Sequence, residues 1–327
     1  MKRTRSKDLV AVDIVSPCFN EREGILDFFN ELVAINASRE VPFFVNLIIV
    51  DDGSTDGSWE IIKNIKENSH VVIEKVRLSR NFGHQAALWC GLERSRSEFV
   101  GVIDIDLQDP LLVLFEMFDE LRANGEVEVV YGDRLSREGE TYAKLVTASV
   151  FYKFMKKLSG HNFNVQKGDF RVMKRPVVNA LVRVKDYHVF TRGLVPWLGF
   201  NQLPHGYHRR ERLSGNSKFT INKMLMLARN GLLSFSLAPL NALFFLGVSV
   251  VSLSLSFVIY ALLSRLFTDV WVPGWTLMFI VNTMFSGLIM AALGVLGQYV
   301  GMIFEQSKGR PVYIVKEIID GSSEHSV

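Results

Sequence analysis

The chain has 327 residues, 48% of them hydrophobic, and a formal net charge of +3. That length holds one large domain or two with ample material for a core, while so small a charge and no long basic run exclude nucleic acid as the main partner. The two cysteines, Cys18 and Cys90, exclude a disulfide framework and suit a reducing compartment. Taken in order, Val10 to Ser16 reads as a strand interrupted by Pro17, after which Ile25, Phe28, Phe29 and Leu32 recur at helical spacing. Val45 to Val50 reads as a second strand running into Asp51-Asp52-Gly53, with Ser54, Thr55 and Asp56 (and Asp52 itself) able to cap a helix that carries Trp59, Ile62 and Ile65. Val71 to Leu78 is the third strand, followed by Arg80-Asn81-Phe82-Gly83 and a helix around Ala86 to Leu92. Phe99 to Ile103 is the fourth and Val127 to Tyr131 the fifth.

This alternation predicts an α/β fold with a mainly parallel sheet and helices on both faces. Polar residues gather where the strands end: Asn20-Glu21, Asp51-Asp52, Arg80-Asn81, Asp104 with Asp106, and Arg134. Open sheets of this kind bind ligands along that edge. There is no Gly-x-Gly-x-x-Gly after the first strand and no Gly-Lys-Ser/Thr, so neither a dinucleotide fingerprint nor a P-loop is present. Asp104-Ile105-Asp106-Leu107-Gln108 follows the fourth strand directly. If the chain stays extended, Asp104, Asp106 and Gln108 project to one face. Two carboxylates and an amide oxygen form a hard, all-oxygen set suited to Mg²⁺ or Mn²⁺ rather than zinc or copper. An isolated Asp-x-Asp is also compatible with a solvated turn that caps the next helix.

Pro17-Cys18-Phe19-Asn20-Glu21, Val50 to Gly57, Ser79 to Leu88, Asp104 to Pro110 and Gly168-Asp169-Phe170-Arg171 together resemble the family 2 glycosyltransferases, and among them the polyisoprenyl-phosphate glycosyltransferases of bactoprenol glucosyltransferase type, cousins of dolichol-phosphate mannose synthase. The resemblance runs from about Val12 to Lys316 and implies a glycosyltransferase A-type nucleotide-sugar domain. It implies inverting, metal-dependent transfer of a hexose, with UDP-glucose the first choice of donor, to polyprenyl (undecaprenyl) phosphate. Other donors such as UDP-N-acetylglucosamine, UDP-galactose or GDP-mannose stay open. By the same resemblance Asp106 and Gln108 hold the ion, with Asp104 on ribose or metal. Pro17, Phe19, Glu21 and Asp51 contact base and ribose, and Arg80 and Lys218 also serve the nucleotide sugar. Arg134, Arg137 and Lys144 are candidates for the acceptor phosphate, and Asp169 matches a catalytic base or sugar-orienting group, with a salt bridge to Arg171 as the structural alternative. A homo-oligomer such as a tetramer is implied as well. Asp133, Leu145 and Asn216 depart from the family pattern and bear on acceptor grip and sugar recognition. His84, His161, His188 and His205 show no metal spacing and read as structural.

No charge occurs from Asn230 to Ser264 or from Val270 to Phe304, intervals longer than the roughly 20 residues that span a bilayer. The expected organisation is a glycosyltransferase domain over 1–216, an interfacial helix over 217–236, a two-span hairpin over 237–304 and a tail over 305–327. Lys144, Lys153, Lys156 and Lys157 among aromatic residues suggest a further interfacial or core helix at 142–158. Lys218, Lys223 and Arg229 precede the spans and Lys308, Arg310 and Lys316 follow them, which places both termini and the catalytic domain in the cytoplasm of a bacterial inner membrane. A chain-elongating synthase is disfavoured because no Arg-Trp pair occurs. A non-catalytic scaffold or translocation partner would leave the acidic rim without a purpose.

Overall fold

The first eight elements repeat one device, a largely apolar strand followed by a helix, and the computed structural model describes residues 9–135, 168–184, 189–210, 238–267 and 274–320. In chain order they begin β1 (Ala11–Cys18), α1 (Ile25–Ala37), β2 (Phe44–Asp51), α2 (Ser58–Asn64), β3 (Val71–Leu78), α3 (His84–Arg94), β4 (Phe99–Val102), α4 (Leu111–Ala123) and β5 (Val129–Arg134). There follow β6 (Arg171–Lys174), α5 (Arg175–Val182), α6 (Thr191–Trp197), β7 (Gln202–Tyr207), α7 (Ala238–Phe267), α8 (Trp275–Ser307) and β8 (Val315–Asp320).

The strands form one sheet in the order β7-β5-β6-β4-β1-β2-β3-β8. Its centre, β4-β1-β2-β3, is parallel throughout, while β6 runs antiparallel to both neighbours and β8 antiparallel to β3. Every residue of β1 except Ala11 is buried, as expected of a strand covered on both faces. On α4, Leu111, Leu114, Phe115, Phe118 and Leu121 make the helical stripe that meets the sheet, and Phe115 stacks on Phe43 at 5.9 Å. Gly101 on β4 permits that approach, since a Cβ there would fall 2.8 Å from the Phe118 ring.

Two expectations about strand ends need correction. Pro17 does not interrupt β1, which continues to Cys18 with Pro17 paired opposite Val50. Val15 faces β4, because its carbonyl accepts from Ile103, and alternation turns Pro17 to that same side, where the β4 ladder has ended. A missing N–H costs nothing at that point. Secondly, β4 stops at Val102, and Asp104 to Asp106 occupy a turn with Leu107 in the left-handed region at φ 57°. The two aspartates therefore do not share a strand face; a turn sets their spacing.

The chain divides into an α/β unit, Met1–Lys156, His161–Ser217 and Pro311–Val327, and a second unit, Lys157–Gly160 with Lys218–Arg310. Each charge-free interval contributes one continuous helix to the second unit, and α7 contacts α8. Within α8, Met284–Ser307 is long and apolar enough to cross a membrane, with a mean hydropathy of 1.8. Met290, Ile303 and Phe304 are exposed along it. The segment read as a C-terminal tail holds β8, which returns to the α/β sheet, and Trp59 Nε1 donates to Glu317 Oε2 at 3.2 Å. The segments 142–158 and 217–236, with Arg137, Lys144 and Lys218, lie outside the described residues.

Candidate active site

Since β1 to β4 are parallel, their carboxyl ends open on one edge, and the loops there are stitched together by side chains. Asn20, in the left-handed conformation that asparagine tolerates, donates its N–H to Ser54 Oγ at 2.9 Å and accepts from the Thr55 N–H through Oδ1 at 2.9 Å. Glu21 N–H donates to Ser58 Oγ at 3.1 Å. These bonds hold half-exposed Phe19 and Glu21 over the end of β2, where Asp51 is fully buried. Asp51 Oδ1 accepts from the Ser54 N–H at 3.1 Å, and Arg77 Nε lies 3.4 Å from Oδ2. Burial pushes the Asp51 carboxyl up, against the Ser54 bonds and the Arg77 charge.

Asp52 does not cap α2. Its two oxygens accept from the backbone N–H groups of Phe82 and Gly83, at 2.7 and 2.9 Å, and so fasten the β3–α3 loop to the end of β2. The two loops touch at Gly53, whose φ is +71° and whose added Cβ would lie 2.6 Å from the Arg80 carbonyl carbon. Arg80 stacks over the Phe82 ring at 4.0 Å. The fastening fixes where α3 begins, with His84 and Gln85 in its first turn.

Those two residues lead into an acid cluster. His84 Nε2 meets Asp104 Oδ1 at 2.8 Å, and His84 Nδ1 lies 3.9 Å from Asp169 Oδ2. Asp169, brought beside β4 by the antiparallel pairing of β6, is buried. Its Oδ2 accepts from Gln85 Nε2 at 3.0 Å and Arg192 Nε at 2.8 Å, and the Thr191 hydroxyl sits 2.8 Å from Oδ1. Gln85 is oriented in turn by the Thr191 N–H, which donates to its Oε1 at 2.9 Å. The expected alternative of a salt bridge to Arg171 is not what forms: Arg171 donates to Gly168 O at 2.7 Å, and Arg192 is the paired cation.

Electrostatics separate the acids. Burial opposes ionisation of Asp169, yet the charges of Arg192, His84 and Arg171 hold its carboxyl down at about 2. Burial likewise opposes the charge on His84, and Asp104 with Asp169 overcomes it, raising the imidazole to about 9. Asp104 ends below the usual range: burial is outweighed by the His84 bond and charge. Asp106 goes the other way, raised by burial and then by neighbouring Asp104. A repelling carboxylate pair of this kind is what a divalent cation relieves. Among the described residues no group of three or more His, Cys, Asp or Glu side chains could hold a metal. Two carboxylates with the Gln108 amide fit Mg²⁺ or Mn²⁺ nonetheless, because such ions complete their shell with water and substrate phosphates.

On the far flank Asp109 anchors the same loop. Tyr207 donates its hydroxyl proton to Asp109 Oδ1 at 2.5 Å and accepts from Arg134 Nε at 3.1 Å, while Arg209 Nε reaches Asp109 Oδ1 at 3.1 Å.

Residues 13–182 match the family described as Glycosyl transferase family 2. The chain is similar to the uncharacterized glycosyltransferase YkcC of Bacillus subtilis, 35% identical over 94% of each chain. It is also similar to the bactoprenol glucosyl transferase of Shigella phage SfV, 32% identical over 93% of this chain and 98% of that one. The chain belongs to glycosyltransferase family 2. It is a glycosyltransferase, and its mainly parallel α/β unit is the glycosyltransferase A-type domain. A looser likeness is to glucosyl-3-phosphoglycerate synthase from Mycobacterium tuberculosis in complex with UDP, with TM-score 0.46 and 17% identity over 69% of this chain and 79% of that chain.

In this glycosyltransferase the sequence-predicted residues fall into two groups on one edge. Pro17, Phe19, Glu21, Asp51 and Arg80 belong to the β1, β2 and β3 ends, and Asp104, Asp106, Gln108, Asp169 and Arg134 to the β4, β5 and β6 side. Arg137, Lys144, Lys218, His161 and His188 lie outside the described residues. His205 bonds Glu120 at 2.9 Å, away from the cluster on α4. Sequence reasoning missed His84, Gln85, Thr191, Arg192 and Tyr207. The first two stood within a quoted motif at the end of β3, and the absence of metal spacing hid the role of His84; Thr191, Arg192 and Tyr207 carried no local signal.

Proposed function

We propose that this glycosyltransferase transfers a hexose, glucose from UDP-glucose by preference, to a polyprenyl phosphate such as undecaprenyl phosphate, inverting the anomeric centre and giving a lipid-monophosphate sugar. The observation that carries this reading is the engagement of Asp169, whose Oδ2 accepts from Gln85 and Arg192 and whose Oδ1 meets the Thr191 hydroxyl. A carboxyl held at about 2 is a poor proton acceptor at neutral pH, so the site favours a nucleophile that arrives ionised. A phosphate monoester, with a second pKa of about 6, is such a nucleophile. The similarity to a bactoprenol glucosyl transferase supports the same acceptor.

Asp106, Gln108 and Asp104 would hold Mg²⁺ or Mn²⁺, which supplies Lewis-acid neutralisation of the leaving diphosphate. Phe19, Glu21 and Asp51, with Pro17 behind them, hold base and ribose; Arg80 and Lys218 serve the diphosphate side. Asp169 orients the acceptor or a sugar hydroxyl rather than removing a proton, and His84 keeps Asp104 ionised and fixed. Arg134, with Arg137 and Lys144, faces the acceptor phosphate. The charge-free helices form a two-span hairpin over 237–304, preceded by interfacial helices, with catalytic domain and termini on the cytoplasmic side where nucleotide sugars are made. The assembly is a homo-oligomer.

The test offers membranes containing the protein a panel of labelled UDP-glucose, UDP-N-acetylglucosamine, UDP-galactose and GDP-mannose with undecaprenyl phosphate. The expected product is a mild-acid-labile lipid sugar from UDP-glucose. Product from another donor would correct the sugar alone; no product from any donor overturns the reading.

A further inference from the structure

Arg192, on α6, lies in none of the motifs that define the nucleotide-sugar edge, yet it reaches the centre of the acid cluster. It spends only Nε on Asp169, at 2.8 Å, and among the described residues makes no other hydrogen bond or ion pair. The side chain is 41% exposed. Asp169 does not depend on it for hydrogen bonding, since Gln85 and Thr191 already serve both oxygens and the Arg171 charge stands behind them. Among the described residues, then, the two Nη groups of Arg192 have no protein partner.

A second guanidinium lies close by. Arg134 Nη2 is 3.5 Å from where a Cβ on Gly168 would sit, one residue from Asp169, and Arg134 and Arg192 feel each other's charge. Arg134 is 38% exposed, and its Asp109 partner, 3.8 Å away, is already matched by Arg209 at 3.1 Å. Two half-exposed guanidiniums that flank Gly168 and Asp169 repel unless an anion lies between them. A phosphate is an anion whose oxygens match their planar forks.

Position decides which phosphate. Asp104 joins two neighbourhoods: its Oδ1 meets His84, which leads on to Asp169 and Arg192, while Asp106 and Gln108 bond each other in the loop that follows Asp104. The leaving diphosphate belongs with the metal-competent Asp106 and Gln108. Inversion requires the nucleophile to approach the anomeric carbon from the side opposite the leaving group, and Asp169 with Arg192 is the end of that chain of contacts away from Asp106 and Gln108. We propose that Arg192, together with Arg134, grips the phosphate of the lipid acceptor, with Asp169 holding the Arg192 guanidinium in place. This rests on the polyprenyl-phosphate reading above. In the step it serves, an acceptor phosphate oxygen bonds to the anomeric carbon as the bond from that carbon to the donor diphosphate breaks, and no proton needs to move.

The experiment uses the purified full chain in lipid nanodiscs with Mn²⁺, and measures equilibrium binding of undecaprenyl phosphate and, separately, of UDP, for wild type and for Arg192→Gln and Arg192→Lys. Glutamine keeps a donor for Asp169 but removes the charge. The expected result is at least tenfold weaker lipid-phosphate binding in Arg192→Gln, partial recovery in Arg192→Lys, and UDP affinity within twofold of wild type in both. In the transfer assay KM for the lipid should rise with no matching rise in KM for the donor. Wild-type lipid binding in Arg192→Gln, or an equal loss of UDP binding, overturns the assignment. Wild type that binds UDP but no undecaprenyl phosphate removes the acceptor reading itself, and Arg192 with it.

Discussion

Asp169→Asn probes how the cluster stores its charge. The carboxyl drops from an ordinary value of 3.8 to about 2 in the folded protein, and its side chain is only 3% exposed, so solvent screens little of the effect. At about 1.4 kcal/mol per pKa unit the charged form gains about 2 kcal/mol. Removing one partner of a buried ion pair costs about 3–5 kcal/mol where the cation is wholly enclosed. Arg171 is enclosed at 3% exposure while Arg192 reaches solvent, so a loss of about 2–4 kcal/mol at pH 7 is expected. For a domain of this size that lowers the melting temperature by roughly 5–15 °C. Because the folded pKa lies below the unfolded one, the contribution is fully present above about pH 4 and is lost as the pH falls through about 2. Thermal unfolding of the purified full chain should show a gap between wild type and variant that is constant from about pH 6.5 to 5 and narrows in stronger acid. Equal melting temperatures at pH 7, or a gap that widens on acidification, would refute the reasoning.

Three further expectations follow from separate parts of the site. Asp106→Asn should abolish transfer, by at least about a hundredfold, and remove the Mn²⁺ dependence of UDP binding while leaving membrane insertion intact; near-normal activity would remove the metal assignment. Tyr207→Phe deletes the hydroxyl between Asp109 and Arg134, costing about 1.5–3 kcal/mol of stability and raising KM for the lipid several-fold, and a rise confined to the donor KM would contradict the placement of Arg134. Gly53→Ala forces a left-handed residue to carry a Cβ 2.6 Å from the Arg80 backbone. It should lower stability by about 2–4 kcal/mol, and a melting temperature unchanged to within about 1 °C would show that the two loops can part.

Much of the α/β unit was legible from local chemistry. Strand runs such as Val45 to Val50 and Val71 to Leu78 announce themselves by β-branched apolar residues, and the structure places β2 and β3 within a residue of those bounds. The charge-free intervals likewise appear as continuous helices, α7 and α8. Strand ends were harder: Pro17 looked like a break because a sequence does not tell which neighbour an amide faces, and only the early end of β4 makes its missing N–H harmless. Asp104 and Asp106 were grouped for the wrong geometric reason, since β4 ends at Val102 and the two acids lie in the turn that follows.

What the sequence determined by itself was the alternation of strands and helices, the apolar C-terminal helices and the kinds of polar group presented where strands end, because these depend on residues within a few positions of each other. Which of those groups meet was decided by tertiary structure. β6 inserts antiparallel between β4 and β5, and that pairing alone brings Asp169 beside the Asp104 turn. Asp52, a cap candidate for its own helix, instead fixes the start of α3 and so aims His84 and Gln85 at the two acids. Asp169 then finds Arg192 rather than the adjacent Arg171, because Arg171 is drawn to the Gly168 carbonyl while α6 carries Arg192 in from a distant part of the chain. Electrostatic partners are chosen by distance in space, and sheet order rather than sequence spacing sets that distance.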